Sequence, residues 1–383
     1  MRNRQIPKGL RDLLPDEVKV IRNMEKKAAQ LFSSYAYEEV MTPTFEYLEV
    51  IEAGRGSRRE DLFLFVDREG GILSLRPEVT GSIARMASIH LHDADFPRRL
   101  FYMANVFRHV QPQLAQYREF RQTGVELLGA EGIWADAEVI NIAVKLLEIM
   151  GLKSFKISIN QLPIFNSLLD ESGLNSEDRS LVRQLVEEKD LVELYRLLEG
   201  LDIDDELKDT IAALPVLHGG LEVIKRIPYV EKNRKASAAV EELIKIYDAL
   251  KLYGATSHIV VDMGVLRNLD YYTGLVFEGY SPDLGYGLLG GGRYDNLLGQ
   301  FGLSCPATGF ALHMDRLALV LPCREEERDH YLLGGGDFPS LIAQAEKLRK
   351  QGYIVEMDLG GHSQAELEKK IEGKENWTLI YLD

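Results

Sequence analysis

Behind a Pro15-Asp16-Glu17 helix start, apolar residues recur at helical spacing at Val20, Ile21, Met24, Ala28, Leu31, Phe32 and Tyr35. This pattern predicts one long amphipathic helix. The texture then changes to short β-type runs divided by Gly, Pro and charged turns: EEVMTPTFE, DLFLFVDREGGILSLRPE, RRLFYMANVFRH and EFRQTGVELLG. DREGG is a hairpin signal inside the second run. WADAEVINIAVKLLEIMG reads as a helix that stops at Gly151, and FKISI as a strand. From about 164 to 252 the pattern is almost wholly helical, so a helical insertion splits the sheet-forming sequence. Strand signals return in HIVVDMGVL and DYYTGLVFEGY, followed by a Gly-rich turn, GLLGGGRYD, and then TGFALHMDRLALVLP, whose later half is helical.

A polar run, REEERDH, opens the tail, which then alternates strand, helix, strand, helix, strand as a small α/β unit. The expected organisation is a core over 1–322, with the insertion inside it, and a separate unit over 323–383. The closely spaced later strands leave no room for parallel crossovers, which predicts an α+β fold with an antiparallel sheet. No internal repeat is evident.

Composition narrows the class. The chain has 383 residues, 45% hydrophobic and 27% charged, within the globular range. Its two cysteines, Cys305 and Cys323, form no Cys-x-x-Cys or Cys/His cluster, so neither a zinc site nor a disulfide framework is expected, and a reducing compartment is. No signal segment and no apolar run of membrane-spanning length occur, which makes a cytoplasmic location the expectation. A formal charge of -15 argues against general polyanion binding.

Gly285, Gly287 and Gly290 spell Gly-x-Gly-x-x-Gly, but they follow Ser281-Pro282-Asp283 rather than a buried strand, which points to a tight hairpin rather than a dinucleotide site. SLRPEVT places Glu78 and Thr80 two apart, on one side if the backbone is extended; a carboxylate and a hydroxyl together can hold an ammonium group, and a helix cap for GSIARMASIH is the alternative. In EFRQTGVELLG, strand alternation puts Gln122, Gly124 and Glu126 on one face. An amide, a gap and a carboxylate suit a small zwitterion, although an exposed sheet face would look much the same. VLRNLDYYTGLVFE gathers Arg267, Asp270, Tyr271 and Tyr272 at a strand start, where an arginine can pair with a ligand carboxylate and the aromatics can equally be core.

PKGLRDLLPDE, YEEVMTPTFEY, LRPEVT, NVFRHVQPQLAQYREFRQTGVELLG, LRNLDYYTGLVFE, GGGRYDNLLGQFG and ATGFALHMDRL occur in this order. Together they resemble the catalytic core of the histidyl-tRNA synthetase family over about residues 5–322. The resemblance implies a class II aminoacyl-tRNA synthetase-like antiparallel sheet flanked by helices, and a homodimer formed through the first helix and YEEVMTPTFEY. It also implies a histidine pocket made of Glu78, Thr80, Arg108, Gln122, Glu126, Arg267, Tyr271 and Tyr272.

The departures bear on function. The resemblance expects an ATP-holding glutamate where Val110 stands, a basic loop where HVQPQLAQY has no Lys or Arg, and histidine where Arg121 stands. Arg316 matches an ATP-contacting arginine, with a structural ion pair at a helix start as its alternative role. An anticodon-binding module needs about a hundred residues, and about 60 follow Pro322. Together these features resemble the regulatory-subunit family of ATP phosphoribosyltransferase. The implied partners are a short-form catalytic subunit, a second copy of the chain and histidine, with no tRNA, membrane, metal or cofactor. The chain itself is then no enzyme. A histidine-activating synthetase paralogue and a standalone histidine sensor are the alternatives.

Overall fold

The computed structural model describes residues 4–54, 59–111, 116–266, 271–321 and 329–382. Two compact units divide the chain, Met1–Pro322 and Cys323–Asp383.

In the first unit the strands are β1 (Glu38–Glu39), β2 (Phe45–Tyr47), β3 (Leu64–Val66), β4 (Ile72–Leu75), β5 (Arg98–Phe107), β6 (Glu119–Leu128), β7 (Lys156–Gln161), β8 (His218–Gly219), β9 (Ile259–Asp262), β10 (Leu275–Tyr280), β11 (Leu289–Arg293) and β12 (Ala307–His313). The helices are α1 (Pro15–Ser34), α2 (Leu48–Gly54), α3 (Thr80–His90), α4 (Ile133–Met150), α5 (Leu162–Glu171), α6 (Ser176–Glu188), α7 (Leu191–Glu199), α8 (Asp205–Ala213), α9 (Arg234–Leu252) and α10 (Met314–Val320). Among the described residues, one nine-stranded sheet runs β1-β5-β6-β12-β11-β10-β7-β9-β8, and a second of three strands runs β2-β4-β3.

Alternation along β5 and β6 divides the interior. Phe101, Val125 and Leu127 point to the main core, which the inner faces of α1, α4 and α9 complete with Phe32, Ile140, Leu147, Leu243 and Ile246. Leu100, Tyr102, Ala104 and Leu128 point to the opposite side, where they meet Val79, Ile83 and Ala87 around α3. Burying both faces of the central strands leaves their mid-length residues shielded from water, which is where polar side chains become functional candidates.

Most of the predicted elements are present, including the hairpin at Asp67–Gly71 and the stop at Gly151, which takes the left-handed conformation (φ 90°) favoured by glycine. Three readings need correction. The large sheet is mixed, because β1 pairs with β5 and β7 with β9 in parallel. Long intervening segments, including the helical insertion, provide those two crossovers. YEEVMTPTFEY is not one strand: β1 joins the large sheet and β2 the small one, with Pro43 between them, a residue that cannot donate to a ladder. GLLGGGRYD is not a turn: its residues 289–293 form β11, whose glycines fit between β10 and β12. The insertion is helical as read, and SEDRSLVRQLVEEKDLVELYRLLEG makes two of its helices, broken where Lys189 enters the left-handed region at φ 54°. Within the insertion, β8 adds a short edge strand beside β9.

The second unit contains β13 (His330–Gly335), α11 (Phe338–Lys350), β14 (Ile354–Met357), α12 (Gln364–Ile371) and β15 (Trp377–Leu382). Its parallel sheet has the order β14-β13-β15, with Leu333, Leu341, Ala345 and Leu348 at its centre. Among the described residues no helix is long and apolar enough to cross a membrane. Cys323 and most of REEERDH lie outside the described residues.

Candidate functional site

A cavity of about 820 Å³ lies on the α3 side of the large sheet, and Glu78, Thr80, Arg108, Gln122, Glu126, Tyr271 and Tyr272 all line it. Strand register produces its floor. Gly124 stands opposite Ala311, which stands opposite Gly290, while Glu126 stands opposite Gly309 and Gly309 opposite Gly292. Small residues in adjacent strands leave an open volume above the sheet. A Cβ on Gly309 would lie 2.0 Å from Glu126 Oε2, and one on Gly124 would lie 2.1 Å from the Phe310 carbonyl and 2.8 Å from the Tyr102 hydroxyl. Glycine is therefore a packing requirement at both positions.

Glu126 is 1% exposed, and both of its carboxylate oxygens are engaged. Thr80 Oγ1 donates to Oε1 at 2.7 Å and the Tyr294 hydroxyl donates to Oε2. Burial pushes the Glu126 carboxyl up to about 8, against the two hydroxyl bonds, which lower it. Glu78 is also pushed upward by burial, opposed by the Gly81 N–H and by nearby Arg108. The two readings of SLRPEVT merge here. Thr80 begins α3 and Glu78 Oε1 accepts from Gly81 N at 2.8 Å, so one carboxylate oxygen secures the helix start while the residue also faces the cavity.

Three buried acceptor atoms from cavity-lining residues have no hydrogen-bond partner among the described residues: Glu78 Oε2, Gln122 Oε1 and the Tyr102 hydroxyl oxygen. Leaving such atoms unsatisfied costs about 1–3 kcal/mol each, so a ligand carrying N–H donors would relieve them. A primary ammonium presents three such donors. The aromatic wall is continuous, with Tyr271 4.8 Å from Tyr272 and 5.6 Å from Tyr294 between ring centroids. Tyr271 and Tyr272 precede β10 rather than beginning it, because the strand starts at Leu275. Arg267 and Asp270, read with them in the sequence, lie outside the described residues.

Tyr294 and Tyr102 are participants that sequence reasoning missed. Tyr294 sits in the quoted GGGRYD segment, so the signal was present, but its partner Glu126 is 168 residues away. Tyr102 faces Gly124 only through the β5–β6 register.

A smaller pocket of about 230 Å³ adjoins, lined by Arg108, Val110, Gln116, Tyr117, Phe120, His313, Asp315 and Arg316. Phe120 stacks on His313 at 5.0 Å. Arg316 donates to the Gly287 carbonyl at 2.6 Å and lies over the Tyr286 ring. Its neighbour Asp315 makes an ion pair near the start of α10, accepting from Arg11 at 2.8 Å, and also accepts from the Arg121 amide at 2.5 Å. Arg121 itself pairs with Glu25 of α1. Of the loop HVQPQLAQY, residues 112–115 lie outside the described residues. Among the described residues no cluster of three or more His, Cys, Asp or Glu side chains is placed to hold a metal ion.

The mixed central sheet, the cavity on its α3 face and the flanking helices define a class II aminoacyl-tRNA synthetase-like protein. The histidyl-tRNA synthetase family profile matches residues 9–317. A protein of Moorella thermoacetica named ATP phosphoribosyltransferase regulatory subunit is 40% identical over 365 residues, covering 94% of both chains. One of the same name from Desulfitobacterium hafniense is 38% identical and covers 97% of this chain and 96% of its own. Among solved structures, an ATP phosphoribosyltransferase regulatory subunit/histidyl-tRNA synthetase from Bacillus halodurans superposes with a TM-score of 0.89 at 32% identity, over 99% of this chain and 98% of that one. A Nostoc histidyl-tRNA synthetase, 20% identical with a TM-score of 0.83 over 100% of this chain and 92% of its own, shares the fold. The chain belongs to the histidyl-tRNA synthetase-like family of ATP phosphoribosyltransferase regulatory subunits.

Proposed function

We propose that this chain is a non-catalytic regulatory subunit of ATP phosphoribosyltransferase, needed for activity of a short-form catalytic subunit, and that histidine bound in the large cavity conveys feedback. The observation that carries the reading is the contrast between the two adjoining pockets. The larger has the buried Glu126 carboxyl and the half-buried Glu78, three unpartnered acceptors and an aromatic wall, a set that suits an ammonium group and an imidazole ring. Glu78 and Gln122 take the ammonium, Glu126 a ring nitrogen, and Arg108 or Arg267 the carboxylate. The smaller pocket has Val110 where the family resemblance expects an acid for ATP. A valine accepts no hydrogen bond from adenine, so stabilisation of adenylate formation is lost on that side.

The relatives' shared name supports the pairing with a catalytic subunit, and the resemblance supports a homodimer through α1 and the β1–β2 segment. A histidine-activating synthetase paralogue is the second reading, favoured by Arg108 and Arg316 lining one pocket. Two measurements separate the readings. Calorimetry is expected to show histidine binding that is weakened in Glu126→Ala and Arg267→Ala variants that remain folded. Histidine-dependent pyrophosphate exchange by the isolated chain is expected to be absent; turnover on the order of 1 per second would establish the synthetase instead.

A further inference from the structure

Glu78 and Glu126 line one cavity, and the groups facing them decide how much negative charge the site holds. Glu126 faces the hydroxyls of Thr80 and Tyr294, with Tyr102 and Tyr271 close by, and both of its oxygens are taken by hydroxyl donors rather than by a cation. Glu78 faces the Gly81 amide, and Arg108 is the nearby cation. Arg108 donates its Nε to the Pro77 carbonyl at 2.9 Å and lies 5.7 Å from the Phe120 ring centroid. Among the described residues, hydroxyl donors and one neighbouring arginine thus serve the buried Glu126 carboxyl and the half-buried Glu78, whose Oε2 is shielded from water. Like charges in a low-dielectric site cannot both ionise without help.

We propose that histidine and a proton compete for the Glu78–Glu126 pair, so that filling the cavity releases a proton to solvent and histidine binds less tightly as pH falls. The inference rests on the reading of the cavity as a histidine site. The ligand's ammonium supplies the positive charge that the empty pair lacks, and Oε2 of Glu78, buried and without a partner, is positioned to accept from it. The proton leaves a carboxyl group and passes to buffer; the ligand's ammonium then faces the ionised pair, while its own carboxylate, the other half of the zwitterion, faces Arg108. Burial, which holds the Glu126 carboxyl near 8, places the competition across neutral pH.

The test is calorimetry of L-histidine with the full chain at pH 7 in phosphate and in Tris, buffers whose ionisation enthalpies differ widely. The expected result is a buffer-dependent heat corresponding to release of about one proton per site, with apparent affinity rising about fivefold from pH 7 to pH 8. In Glu126→Gln the release falls toward zero while the remaining binding loses its pH dependence; the pH series on the unaltered chain stands by itself if that variant does not fold. Binding with the same heat in both buffers and an affinity flat in pH overturns the proton exchange and leaves the histidine site intact. Absence of heat in every buffer, with no binding by equilibrium dialysis, overturns the site itself and this inference with it.

Discussion

Thr80 Oγ1 donates to Glu126 Oε1 at 2.7 Å, joining the first residue of α3 to β6 across 46 residues of sequence. The bond fixes the carboxyl group in the cavity and anchors the helix that forms one of its walls. Both residues are at least nine-tenths buried, so water is a poor substitute for either partner.

Thr80→Ala therefore removes a donor from a buried carboxyl oxygen. The expected loss is about 1–3 kcal/mol of stability, read from the urea midpoint, with Thr80→Ser restoring most of it. Equal midpoints for Thr80→Ala and the parent would show that the bond contributes nothing to folding.

The floor glycines give a sharper contrast. In Gly309→Ala the new methyl group would meet Glu126 Oε2 at 2.0 Å and the Val125 carbonyl at 2.4 Å, whereas a Cβ on Gly299 meets nothing within 4 Å. The side-chain oxygen can swing away, but the carbonyl belongs to the sheet. Gly309→Ala is expected to cost about 1–3 kcal/mol or more and Gly299→Ala much less, both measured by thermal or urea unfolding. Comparable effects at the two positions would contradict the packing of the floor.

Stability should also carry the signature of Glu126. Its folded-state value of about 8 lies above that of the unfolded chain, so between the two the folded form holds a proton that unfolding releases. The contribution is fully present below the unfolded value, near 4.5, and is lost as pH rises through about 8. The slope from this one group is on the order of 1 kcal/mol per pH unit in that window. Replacing it in Glu126→Gln should flatten the fall in stability between pH 5 and pH 8. A variant whose profile runs parallel to the parent's throughout would sink this assignment.

Much of the site was legible because it follows from local periodicity. Alternation in EFRQTGVELLG placed Gln122, Gly124 and Glu126 on one face, and they are found there, with Val125 and Leu127 in the core behind them. Partners across the sheet were not legible. Nothing within ten residues of Glu126 signals Tyr294, and Tyr102 reaches the cavity only because β5 and β6 pair in one particular register. The parallel pairing of β7 with β9 was hidden for a related reason: the spacing rule was applied to the late strands, while the crossover passes through the helical insertion. Arg316 shows a further limit, since one of its guanidinium nitrogens donates to the backbone carbonyl of Gly287, which side-chain chemistry alone does not reveal.

Regulation adds a thermodynamic condition. Histidine changes a partner's activity only if it binds the active and inactive assemblies unequally, and typical couplings are about 1–3 kcal/mol. Substrates of the catalytic subunit and histidine must then oppose one another in affinity. In the homodimer proposed above, α1 and the β1–β2 segment face a second copy, and the catalytic subunit would then use other surfaces, including the neighbourhood of residues 110–117.

The most direct measurement mixes this chain with a short-form ATP phosphoribosyltransferase catalytic subunit and follows product formation with and without histidine. A regulatory subunit with a histidine-sensing cavity raises the catalytic subunit's activity on mixing and makes it fall when histidine is added, with the fall blunted in Glu126→Ala. Activity that neither rises on mixing nor changes its response to histidine would contradict the regulatory assignment.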